Sequence, residues 1–107
     1  MSKPPRTRKL AAWINLMPGA PSELIVVGEV ETSAGNKKPG LSVSAGSPPA
    51  GALHLDLSIH DTGGFGTLAF QFWPVRHEQP AVEDQYKHVV IFWNDAELVR
   101  LPVTEAR

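Results

Sequence analysis

The chain has 107 residues, 42% of them hydrophobic and 20% charged, with 10 Lys and Arg against 11 Asp and Glu for a formal net charge of -1. That length and apolar content suit one domain with its own core and exclude a wholly disordered segment, and the near-balance of charge supplies no general field for nucleic acid or anionic lipid. Cysteine is absent, which excludes disulfides, thiolate metal sites and a cysteine nucleophile.

The chain opens on MSKPPRTRKL. Lys3, Arg6, Arg8 and Lys9 are spaced by proline and polar residues with no apolar anchor among them, so 1–10 reads as a flexible basic tail and 11–107 as a single domain. Basic residues followed by the apolar stretch Leu10 to Met17 imitate a secretory signal. Asn15 interrupts that stretch, and Pro18 and Pro21 crowd any cleavage region, so a strand is the better reading. No apolar run approaches the roughly eighteen residues that cross a bilayer. A cytoplasmic location is expected, with a secreted or periplasmic one left open, and neither membrane nor nucleic acid is expected as a partner.

Strand-like runs follow at 11–17 (AAWINLM), 23–32 (ELIVVGEVET), 41–45 (LSVSA), 52–60 (ALHLDLSIH), 67–76 (TLAFQFWPVR), 86–93 (YKHVVIFW) and 97–103 (ELVRLPV). Each is rich in β-branched, aromatic or alternating residues and is bounded by Gly, Pro, Asn or Asp. The nearest approach to a helical stripe, HEQPAVEDQYK, is interrupted by Pro80. The pattern predicts an all-β fold, an antiparallel β-sandwich of about seven strands, with an immunoglobulin-like topology as the favoured version. Tyr86, the only tyrosine, follows the acidic corner of VEDQYKHV. Over those eight residues it resembles the tyrosine corner of immunoglobulin-type sandwiches, without the flanking cysteine.

Three placements follow from local chemistry. Asn94, Asp95 and Ala96 should join the last two runs as a tight hairpin. YKHVVIFW is apolar on both faces and belongs in the middle of a sheet, whereas Pro74 cannot donate to a ladder and makes FQFWPVR an edge strand or a bulged one. Ser33 to Ala52 reads as two loops around one weak strand. The expected core is Leu53, Leu55, Leu57 and Ile59 with Val26, Val30, Leu68, Phe70, Phe72, Val90 and Phe92.

Opposite those leucines, His54, Asp56, Ser58 and His60 form a polar stripe. A strand advances about 3.3 Å per residue, so His54 and Asp56 stand about 6.6 Å apart and His54 and His60 about 20 Å apart. The two histidines therefore cannot share an ion. A metal site would need His54 with Asp56, or Ser58 and His60 with Asp61, joined by His88 or His77 from another element at about 2.0–2.2 Å. The wet face of a half-buried strand explains the same residues unaided, so no metal and no cofactor is assigned. His54, Asp56, His60 and His88 are the residues that would carry one.

Ser58, His60 and Asp61 contain the residue types of a hydrolase, but no strained turn exposes the serine and no oxyanion hole is evident. TGGFG is glycine-rich, yet a strand follows it where a phosphate cradle needs a helix N-terminus. Glu29 and Glu31 share a strand face without an apolar pocket to raise either carboxyl. No enzyme activity is expected. The sequence points by elimination to a small non-catalytic binding or interaction module, with a protein or peptide partner or self-association through an edge strand as a homodimer. Phe65 on its glycine turn and Trp73, Pro74 and Arg76 on the edge run are the expected binding residues, and the two features need not form one patch. The alternatives are a metal-binding or metalloenzyme domain on the His54 and Asp56 face and a structural subunit paired through an edge strand.

Overall fold

Period-two alternation becomes burial directly. In a computed structural model that describes residues 4–64 and 70–107, Leu53, Leu55 and Leu57 are buried while His54, Asp56 and Ser58 between them are only half-covered. The same rule sends Leu24, Val26, Val30 and Thr32 to one face of their strand. The strands are β1 (Thr7–Asn15), β2 (Glu23–Thr32), β3 (Lys37–Val43), β4 (Ala52–Asp61), β5 (Gln71–Pro80), β6 (His88–Trp93) and β7 (Ala96–Ala106).

All seven belong to one sheet, in the order β3-β4-β6-β7-β1-β2-β5. The pairs β4·β6 and β1·β7 are parallel, and the remaining neighbours are antiparallel. The sheet curls until its terminal strands β3 and β5 lie side by side, nearly closing a barrel. An antiparallel sandwich with immunoglobulin-like topology is therefore not shown. Alternation identifies a strand and its two faces, but it does not identify the strand's neighbour. β7 joins the two halves: Ala96–Pro102 runs antiparallel to β6, and Val103–Ala106 continues parallel to β1.

The local placements agree with the sequence. β6 lies between β4 and β7 with Val89, Val90 and Ile91 buried. Pro74 lies on the terminal strand β5. Asn94 and Asp95 both have positive φ, 50° and 64°, and Trp93 pairs with Ala96 across them. Those are the conditions for a two-residue hairpin with a primed turn.

Several boundaries and faces differ. β1 begins at Thr7, inside the expected basic tail, because Arg8 and Lys9 pair with Glu29 of β2 and Leu10 packs on the core. A register shift between Arg8 and Ala11, with Lys9 at φ 56°, accommodates Leu10 opposite Gly28. β3 starts at Lys37, within a stretch that reads as a turn, and it tolerates Pro39 because it is terminal. β5 runs on to Pro80.

Phe70, expected in the core, is 75% exposed, and Leu68 lies outside the described residues. Phe72, Val90 and Phe92 belong to the outer face, since their partners Glu31, His54 and Asp56 point away from the leucines. Val90 is nonetheless buried there. FQFWPVR is apolar at both parities, so its inward set could not be read from alternation. The sheet selects Trp73 and Val75, which pair with Val30 and Gly28.

Candidate functional site

Two features of the outer surface combine chemistry with shape. The first is the polar stripe of β4. Parallel register sets Asp56 beside Phe92 of β6, and β3 pairing sets Ser42 on its other side. Ser44, just past β3, donates its hydroxyl to Asp56 Oδ1 at 2.7 Å. The His54 ring stands edge-on to Phe92, with centroids 5.0 Å apart. Ser44, Ala45, Asp56, Phe92 and Asp95 surround an open concavity of about 200 Å³.

The stripe does not gather its histidines. His88 lies beside Ala52, diagonal to His54, and His60 lies at the far end of β4 against Ser58, 2.9 Å away. Among the described residues, no group of three or more His, Cys, Asp or Glu is placed to hold a metal ion. Asp61, which the hydrolase reading would set behind His60, is the next residue along the strand and turns to the other face. There it pairs with Lys37 Nζ at 3.3 Å and accepts the Gly63 N–H at 2.8 Å.

The second feature is the seam between β3 and β5, and backbone parity defines it. Thr62 N–H donates to Asn36 C=O and Ser44 N–H to His54 C=O, so the even positions of this segment bond toward β4. The odd positions Pro39, Leu41 and Val43 of β3 therefore aim their backbone away from β4, into the seam. On β5, Ala81 N–H donates to Ser22 C=O, which turns the odd positions toward β2. Phe72, Pro74, Arg76, Glu78 and Pro80 face the seam. Each proline thus falls where a missing N–H breaks no ladder bond.

Side chains stitch one end of the seam. Trp73 Nε1–H donates to Thr32 Oγ1 at 2.9 Å, Thr32 donates to Lys37 C=O at 3.0 Å, and Lys38 Nζ lies 5.6 Å from the Trp73 ring centroid. Trp73 is half-buried and committed to the fold. Pro74 and Arg76 are exposed, with Arg76 paired to Glu78, and Phe65 lies outside the described residues.

Charge on the neighbouring face is locally neutralised. The Arg8 guanidinium, which donates to Glu29 Oε1 at 2.6 Å, holds the Glu29 carboxyl below the ordinary glutamate range, and it also lies 3.8 Å from the Phe72 ring centroid. The Gly63 N–H, then Lys37, depress Asp61 in the same way. A depressed folded value means a contribution to stability that is present above the unfolded pKa and lost as pH falls through the folded one. Arg8→Ala should therefore move the Glu29 titration upward in a carboxyl-carbon NMR titration while leaving Asp61 where it is. An unmoved Glu29 would show that the ion pair does not form in solution.

Sequence reading missed Ser44, Asp95 and the outward Phe92 of the concavity, together with Pro39, Leu41 and Val43 of the seam. Asp95 carried a turn signal, whereas the meeting of Ser44 with Asp56 depends on register that composition does not encode. No protein-family model, curated protein or solved structure matches the chain.

Proposed function

We propose that the chain is a small, non-catalytic interaction module that takes up an extended segment of a partner polypeptide at the end of the seam between β3 and β5 that Trp73, Thr32 and Lys38 do not stitch. One observation carries the reading: among the described residues, the terminal strands of an almost closed sheet lie side by side with no ladder pairing them. Added strands bind through main-chain hydrogen bonds, and the amides of Leu41, Val43, Arg76 and Glu78 face that seam. Val43 also presents a 56% exposed side chain beside it.

Self-pairing is the weaker version of this idea. Pro39 lies on β3 and Pro74 and Pro80 on β5, so in a self-paired edge both strands would lack amide donors. A hetero-partner strand free of proline loses them on one side only.

The test uses peptides selected from a displayed library on the wild type, then measured against Val43→Pro. Position 43 aims its N–H into the seam, so proline there should spare the β4 ladder and keep the melting temperature near that of the wild type. Binding should fall at least tenfold, about the effect of losing a main-chain hydrogen bond at a buried edge. Equal binding to both proteins would remove the seam as the site. A wild-type dimer by light scattering that Val43→Pro dissolves would replace the hetero-partner with a second copy.

A further inference from the structure

We propose that the concavity bounded by Ser44, Asp56, Phe92 and Asp95 binds a compact organic cation: the guanidinium or alkylammonium group of an arginine or lysine side chain. The concavity lies on the outer face, built from β4, β6 and the β6–β7 hairpin, and its use does not depend on strand addition at the seam.

Three properties of the walls select this class of ligand. Asp56 and Asp95 both line the space, so it favours positive charge and repels anions. The Ser44 hydroxyl holds Asp56 Oδ1 at 2.7 Å, which fixes the carboxylate before any ligand arrives. Phe92 supplies an aromatic wall, and the His54 ring edge-on to it at 5.0 Å limits its rotation. A ring wall next to carboxylates suits a cation with apolar substituents, because the ring quadrupole attracts the charge while the attached carbon chain packs against the ring. A calcium or magnesium ion gains nothing from that wall and requires roughly six or more oxygen ligands, and no group of three His, Cys, Asp or Glu converges among the described residues to hold a metal ion. Arg100, on the same face of the sheet beside Val90, is paired to Glu97 at 3.0 Å.

The volume of about 200 Å³ fits one side-chain head group and not a whole nucleotide or sugar chain. Its openness to water keeps a single cation weakly bound, in the millimolar range, as suits one contact of a larger partner.

The experiment is a two-dimensional amide NMR titration of the intact chain with methylguanidinium and n-butylammonium. Parallel arms use neutral n-butanol, calcium chloride and sodium chloride at matched ionic strength. Saturable shifts confined to Ser44, Asp56, Phe92 and Asp95 are expected with both organic cations, weakened at least fivefold in Asp56→Asn and in Asp95→Asn. Ser58→Ala, on the same stripe but outside the concavity, should bind as the wild type does. Phe92→Leu should weaken n-butylammonium while preserving the fold, as read from the unshifted amides of β2. No saturable shift at tens of millimolar would overturn the proposal, as would equal shifts with n-butanol or unaltered binding by both aspartate variants. Calcium shifts of equal or greater affinity would also overturn it and would make this an inorganic cation site.

Discussion

Leu55→Ala should lower the unfolding free energy by about 2–5 kcal/mol, the range for emptying a leucine from a packed core. Leu55 has no exposed surface and lies on β4 beside Ile91 of β6 and Val43 of β3, within the cluster that also contains Ile14, Leu24, Val26 and Val89. Because small domains are stable by only about 5–15 kcal/mol, that loss should bring the urea midpoint down sharply with little change in slope. The slope is the control, since a changed slope would report an altered unfolded or native compactness. A cost under about 1 kcal/mol would mean that the leucines do not face the core and that the β4 register is displaced by one residue.

Gly28→Val should cost about 1–3 kcal/mol for a different reason, the forced repacking of a filled site. Gly28 is buried on β2, and a Cβ at that position would run into Leu10 Cδ2 and crowd Leu10 Cγ. The bulge in β1 lets Leu10 occupy the space that a side chain at 28 would otherwise fill. Leu10→Ala in the valine background should therefore recover part of the loss, although Leu10→Ala alone should destabilise. Chemical unfolding of the four proteins gives the coupling directly. Strictly additive effects would separate Leu10 from Gly28 and remove the packing role assigned to the bulge.

These two positions show what was legible in the sequence and what was not. Leu53, Leu55 and Leu57 announce themselves because one face of β4 is apolar and the other polar, and the same regularity marks β2 at its observed ends. Asn94 and Asp95 mark their hairpin because few residue pairs accept positive φ twice in succession. Pro74 correctly places β5 at an edge.

Pairing partners were beyond such reading. The parallel contacts of β4 with β6 and of β1 with β7 join segments far apart in the chain, and neither alternation nor turn chemistry names a neighbour across that distance. Leu10 read as the end of a tail because its role depends on the missing side chain of Gly28 and on a bulge at Lys9. Hydrophobicity alone places Phe70, Phe72 and Phe92 inward, yet Phe92 walls the concavity and Phe72 lies under Arg8. For the same reason the polar stripe could be recognised as a face but not resolved into Asp56 with Ser44 and Phe92 at one end and Ser58 with His60 at the other.

Native-state amide hydrogen exchange, residue by residue, tests the open seam most directly. Slowest exchange should fall on Val89, Val90 and Ile91 of β6, which is paired on both sides and buried. Leu41, Val43, Arg76 and Glu78, whose amides face the seam, should exchange orders of magnitude faster than their odd or even neighbours that bond into the ladders. Protection of those four amides comparable to that of β6 would mean that β3 and β5 pair with each other, that the barrel is closed, and that no edge is left for a partner strand.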